Sequence, residues 1–250
     1  MSPRVRAALI HLGLSAIVAL PVALSIHIAW YPDVLILGAA ARHLFFLIVG
    51  LVVTMGPFLT LVIFRPGKWG LRFDLWCIAI LQLSALAFGA YVMFEARPVY
   101  LAFVVDRFAV VRADGFPAGA LEKGHANGYD SLSLTGPRLV GVKLPDSPEE
   151  RFQLAVSAMA GTDAEYYPKY YVPYDDVRVR VRGMGRPIAL LRKINAARGA
   201  QVDAAVASTG RKEDELRYLP MRSDKADFAV LVDNTGDVLE ITSLVPWDER

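Results

Sequence analysis

His125 is the one histidine of this sequence beyond residue 97, and it lies five residues before Asp130 and close to Ser131 and Ser133. Those are the residue types of a serine-nucleophile triad: a hydroxyl to attack, an imidazole to take its proton, a carboxylate to orient the ring. Nothing in the spacing asks for that chemistry. No GxSxG elbow presents either serine, and HExxH, a P-loop and GxGxxG are equally missing. An exposed loop histidine is the expectation for His125. Asp175 and Asp176 are the other acids that catch the eye, but two adjacent carboxylates before a strand lack the alternation of a calcium loop and read as a turn. Cys77 is the only cysteine, so neither an intrachain disulfide nor a cysteine-based zinc cluster can form. The sequence therefore assigns no catalytic residue, no metal ligand and no cofactor.

Polar residues inside apolar runs ask a different question, because they are costly in lipid. His11 and His27 lie on the first such run, Asp74 opens the third, and Gln82 sits well inside it. His27 and Asp74 fall near opposite ends of their runs, which excludes a single proton relay through both. Interhelical hydrogen bonding or headgroup contact is the expected role of all four, ahead of transport.

The elements that carry these residues follow from how charge is distributed. The chain has 250 residues, 54% of them hydrophobic, and a mean hydropathy of +0.37. Residues 1–97 hold seven Lys/Arg and three acids, which leaves 20 basic and 22 acidic residues for 98–250. A nearly uncharged first third followed by an ordinary charged domain excludes a disordered chain, a collagen, a disulfide scaffold and a basic nucleic-acid binder. Crossing a hydrocarbon core takes about 20 apolar helical residues. Three stretches supply them, at about 7–30, 44–64 and 75–94. The first outruns the h-region of a cleaved signal peptide and is followed by two more, so it is expected to remain as a helix. The fold class is thus a membrane protein, with three N-terminal transmembrane α-helices in residues 1–97 and a soluble α+β domain in 98–250.

Lys/Arg placement gives the orientation. Arg4, Arg6, Arg65, Lys68 and Arg72 lie on one side, against Arg42 and Arg97 on the other. That bias puts the N-terminus and the 65–72 turn in the cytoplasm and residues 98–250 outside, in the periplasm of a Gram-negative cell. Trp30, Tyr31, Trp69, Tyr91 and Tyr100 are placed where an aromatic belt would be.

Small residues mark where helices approach closely. Gly50 with Thr54, and Ala85 with Gly89, are small-xxx-small pairs, and Gly56-Pro57 is expected to break the second span. The pairs either pack the three helices together or leave a groove for a partner's helix; sequence does not separate the two.

In the soluble part, 99–105 and 108–111 read as strands and 228–232 with 238–241 as a hairpin. Ser147-Pro148-Glu149-Glu150 opens a helix whose apolar stripe is Phe152, Val156 and Met159. Helices are also expected over 187–197 and 200–207, while 115–128 and 161–173 read as loops. Tyr166, Tyr167, Tyr170, Tyr171 and Tyr174, stiffened by Pro168 and Pro173, either present rigid contact area to a protein partner or pack on their own domain.

Gly56-Pro57-Phe58-Leu59-Thr60-Leu61-Val62-Ile63-Phe64, then Lys68-Trp69-Gly70-Leu71-Arg72-Phe73-Asp74-Leu75, then Ala96-Arg97-Pro98-Val99-Tyr100-Leu101 with Val105-Asp106-Arg107-Phe108, resemble the TfpX/TfpZ family of type IV pilin accessory proteins. The likeness extends to Leu219-Pro220-Met221-Arg222 and the C-terminal hairpin. It implies a non-enzymatic inner-membrane protein that helps its cognate pilin into type IV pili and affects their extension and retraction. The implied partners are the pilin, other inner-membrane assembly components and the bilayer, with no nucleic acid. Within these motifs Asp74 is placed to pair Lys68 or Arg72, and Asp106-Arg107 to fix the strand leaving the membrane. A membrane-anchored sensor, or a pilin-modifying enzyme, is the alternative.

Overall fold

The computed structural model describes residues 1–32, 34–39 and 42–247. The chain forms two compact units: Met1–Trp30 with Ala40–Ala96, and Tyr31–Ala39 with Arg97–Arg250. The short segment between the first two long helices, which the sequence reading left within residues 1–97, packs with the second unit.

The first unit is built on α1 (Pro3–Trp30), α3 (Arg42–Ile63) and α4 (Leu71–Glu95); α2 (Leu35–Gly38) belongs to the other unit. All three are long and apolar enough to cross a membrane. Their inward faces repeat every three to four residues, with Ser15, Ala19 and Ile26 on α1, Ile48, Val52 and Thr60 on α3, and Ile78, Leu86 and Met93 on α4. Helix α4 begins at Leu71, before the apolar run, because Gly70 in the left-handed region (φ 80°) turns the chain and the acidic Asp74 suits a first turn. Pro57 does not break α3, contrary to expectation. The helix runs on to Ile63, as packed membrane helices do when neighbours supply the polar contacts a proline disturbs.

The second unit is a mixed eight-stranded sheet. Its strands are β1 (Pro98–Val104), β2 (Arg107–Arg112), β3 (Arg138–Val142), β4 (Tyr171–Pro173), β5 (Arg186–Pro187), β6 (Leu216–Arg222), β7 (Phe228–Asp233) and β8 (Val238–Thr242). Their order is β4-β3-β1-β2-β6-β7-β8, with β5 also paired to β6. The β1–β2 hairpin is antiparallel, with Ala102 opposite Ala109, while β1 meets β3 in parallel with Ala102 opposite Val140. Helices α5 (Ala120–Lys123), α6 (Pro148–Met159), α7 (Arg178–Met184), α8 (Ile188–Ile194) and α9 (Gly199–Ser208) complete the unit.

Alternation along the strands feeds two faces. Leu101, Phe103, Phe108, Leu219, Met221, Phe228, Val230 and Val232 join one core with Val177 and Val181 from the α7 side. Ala229, Leu231, Leu216 and Tyr218 face α8 and α9 on the other side. With both faces covered, β7 is buried along its whole length, which explains its unbroken apolar run.

One expectation fails by period. Val177-Arg178-Val179-Arg180-Val181 alternates like a strand, yet the acids at 175 and 176 precede helix α7. Tyr174, Val177 and Val181 enter the core at helical spacing, whereas Val179 is exposed. Tyr31 and Tyr100 also leave the aromatic belt, being buried in the second unit; Trp69 and Tyr91 are exposed.

Candidate functional site

The first unit holds a polar centre that joins its three long helices. His11 Nδ1 lies 2.6 Å from Thr60 Oγ1, and His11 Nε2 lies 2.8 Å from Gln82 Oε1. The Gln82 amide nitrogen donates to the Val52 carbonyl at 2.6 Å and to Ser15 Oγ at 3.3 Å. Because the amide nitrogen is spent on a carbonyl, Oε1 must face the imidazole, and it can only accept. In the neutral ring Nε2 therefore carries the proton, and Nδ1 accepts from the Thr60 hydroxyl. Each polar atom of this centre thereby has a partner, the condition for placing them in an apolar bundle. Gly56 makes it possible: a Cβ there would overlap the Gln82 carboxamide. The interhelical hydrogen bonding expected of His11 and Gln82 is present, and Thr60 and Ser15, which no sequence signal marks, are among their partners. Lys68 meets Asp74 at 2.5 Å, as the motif implied.

The two small-residue pairs part ways. Ala85 packs beside Ile48, Val52 and Leu86, and a Cβ on Gly89 would stand 3.0 Å from Ile48 Cγ2. That pair is used inside the unit. Gly50 and Thr54 lie on an outward face, with Thr54 Oγ1 returning a hydrogen bond to the Gly50 carbonyl at 2.8 Å and nothing within 4 Å of a Gly50 Cβ.

In the second unit the tyrosine segment serves its own domain. Tyr171 and Tyr174 are buried, so of the two readings left open for the segment these two rings follow packing on their own domain. The Tyr171 ring packs edge-on against Tyr100 (5.0 Å) and Tyr129 (5.4 Å), and its hydroxyl donates to the Glu165 carbonyl. Tyr174 donates to the Gly236 carbonyl at 2.6 Å. Tyr166 packs edge-on against Phe116, and the half-buried Tyr167 shares a hydrogen bond with Ser157 at 2.5 Å and packs against Tyr170. Short apolar strands such as β4 leave little core of their own, and these rings fill that side of the sheet.

Exposure appears instead on α6. Ser147 caps it, accepting from the Glu150 amide, but none of its residues is buried. Phe152, Val156 and Met159 face out, at 70%, 49% and 89% exposure. Next to α6 a cleft of about 500 Å³ is lined by Leu144, Leu154 and Ala158 and rimmed by Arg107, Arg222 and Glu165. Burial raises the Glu165 carboxyl above its ordinary pKa.

The remaining candidates are structural. Arg97 is buried and donates to the Ser133 carbonyl at 2.9 Å; Pro98 opens β1 opposite Arg112. Asp106 and Arg107 pair at 3.0 Å across the β1–β2 turn, and the Arg107 guanidinium lies over Trp247. They hold the far end of the hairpin rather than the start of the strand. His125 Nδ1 sits 2.5 Å from Asp130, whose carboxyl that contact holds below its ordinary pKa. The Ser133 hydroxyl is engaged by the Thr135 carbonyl, and the Ser131 carbonyl accepts from Tyr100 and Arg138. Among the described residues no group of three or more His, Cys, Asp or Glu side chains could hold a metal ion.

Comparison with known proteins gives a consistent picture. A family model described as fimbrial assembly protein FimB matches residues 1–33. The chain is 29% identical over 243 residues to the fimbrial assembly protein of Dichelobacter nodosus serogroup E1, covering 96% of this chain and 93% of that one. The serogroup I protein matches to the same extent. The fimbrial assembly protein of serogroups C1 and C2 is 36% identical over 104 residues, which span 41% of this chain and 79% of that protein. No solved structure matches.

Proposed function

The chain belongs to the family of fimbrial assembly proteins, and on that premise we propose that it is a multi-pass inner-membrane accessory of type IV pilus assembly acting without catalysis. The observation that carries this reading is the pairing of full-length similarity with three long helices whose most apolar stretches are only 17%, 28% and 22% buried. Large apolar side chains facing outward all round a helix suit lipid as the solvent and not water. The N-terminus and the 65–72 turn lie in the cytoplasm, and the sheet domain lies in the periplasm. Tyr31–Ala39 packing with residues 97–250 supports the three crossings, since both segments follow an odd number of them, and the excess of Lys/Arg at Arg4, Arg6, Arg65, Lys68 and Arg72 supports the side.

A pilin awaiting assembly offers one membrane helix and one external head. In this reading its helix lies along the outward Gly50–Thr54 face, because Ala85 and Gly89 are occupied by Ile48 and its neighbours. Its head meets the exposed stripe Phe152, Val156 and Met159 on α6, because the tyrosine segment is turned inward. At His125, Ser133 is engaged with its own loop, which argues against a serine triad there.

Deletion of the protein, with sheared surface pili quantified beside total cellular pilin, tests the reading. Surface pili should fall while cellular pilin persists, and recovery in a retraction-deficient background would place the action in the balance of extension and retraction. Normal surface pili in both backgrounds would overturn it. Crosslinkers placed at Gly50 and Phe152 should capture pilin; capture from Ala85 alone would reverse the assignment of faces.

A further inference from the structure

Where α1 begins and α3 ends, the first unit carries an open cavity of about 590 Å³ that the polar centre does not explain. Its lining is mostly apolar, with Ala7, Ile10, Leu14, Phe64 and Leu75 as walls. His11 and Thr60 reach it but satisfy one another, so they offer little to a ligand. Among the described residues Arg6 is the only lining residue with a permanent side-chain charge, and it is exposed. Arg6 has no ion pair among the described residues, and the acid that opens α4, Asp74, is paired with Lys68.

Size selects between occupants. A helix with its side chains is about 10–12 Å across, so one 5.4 Å turn displaces roughly 400–600 Å³. The cavity would hold barely one turn of a partner's helix. It lies within the range of about 300–1,000 Å³ that small ligands fill, and a flexible hydrocarbon chain can follow its apolar walls. The exposed Arg6 cation in an otherwise apolar lining calls for an anionic head on that chain.

We propose that this cavity is a binding site for an anionic phospholipid, with the phosphate at the Arg6 guanidinium and one acyl chain against Ala7, Ile10, Leu14, Phe64 and Leu75. The assignment rests on the membrane reading above, and it goes beyond it by naming a resident lipid. Arg6 supplies the charge recognition; the apolar walls supply retention.

The test is native mass spectrometry of the full chain purified in mild detergent, titrated with phosphatidylglycerol and with phosphatidylcholine of the same acyl chains. Phosphatidylglycerol should be retained about fivefold better, the factor expected for one cation near a lipid surface. Arg6→Gln should abolish that preference and Arg6→Lys should keep most of it. Ala7→Trp, which fills the cavity with the charge intact, should lose retention of both lipids, with a melting curve to show that each variant folds. Equal retention of the two lipids, a preference unchanged in Arg6→Gln, or retention unaffected by Ala7→Trp would each overturn the proposal. Displacement of the lipid by millimolar inorganic phosphate would overturn it too, since that would locate recognition in the phosphate alone. A chain that stays in aqueous solution without detergent would instead sink the membrane reading, which separates the two failures.

Discussion

Gly56 on the second long helix leaves the space that the Gln82 carboxamide of the third fills. A missing side chain on one helix thus lets a polar one cross to the backbone of its neighbour, where it meets the Val52 carbonyl. Alanine is the better helix former by about 1 kcal/mol. Gly56→Ala should nonetheless destabilise the detergent-solubilised protein by about 1–3 kcal/mol, because it forces the amide off its partners. In a Gln82→Ala background the same substitution should be neutral or stabilising. Thermal unfolding of the four proteins of this double-mutant cycle is the measurement.

His11→Ala should be milder. Interhelical hydrogen bonds in lipid average about 0.6 kcal/mol and reach about 1.7, because a freed hydroxyl finds its own backbone. A loss in that range, smaller than that of Gly56→Ala, is expected in the same unfolding assay. A larger loss would mean that Gln82 also leaves the Val52 carbonyl when its imidazole partner is gone.

Leu35 is 4% exposed and joins the core made by Phe108, Leu219 and Phe228. Leu35→Ala should cost about 2–5 kcal/mol, as deletions of buried leucines do. Limited proteolysis of the full chain should then cut within residues 97–247 at lower protease concentration, with the three long helices unaffected.

Glu165 supplies a pH signature. Burial raises its folded pKa above the unfolded value, so its contribution is fully present below the ordinary glutamate pKa of about 4.3 and is lost as pH rises through the folded value. Glu165→Gln should therefore raise the melting temperature at neutral pH and flatten its fall between mildly acidic and neutral conditions. Unfolding scans across that range decide it; parallel pH curves for the two proteins would show that the carboxyl is solvated.

How much of this was legible beforehand depended on the length and period of each signal. The three long helices were readable because each is a sustained apolar run bounded by charge, and the β1–β2 hairpin because Phe103 and Phe108 sit in strands of branched and aromatic residues. Helix α7 was misread because Val177, Val179 and Val181 carry both periods at once, and only the core around Tyr174 chooses between them. Strand β3 is five residues long and contains Gly141, where a Cβ would strike Val177, so its signal is tertiary. The polar centre was half legible: His11 and Gln82 stand out in apolar runs, while Thr60 and Ser15 look like ordinary small polar residues until a third helix faces them.

The placing of Gly38 has a consequence for when the chain can finish folding. Its carbonyl accepts from the Lys225 amide and the Ser223 hydroxyl, and a Cβ there would run into the Phe228 ring. Those contacts span 185 residues for the Ser223 bond. At a synthesis rate of roughly 5–20 residues per second, the segment waits about 10–40 s for the strands that receive it. The sheet domain is closed by two segments far apart in the order of synthesis, so a ribosome that stalls before Ser223 leaves the Gly38 carbonyl without the partners that seal it.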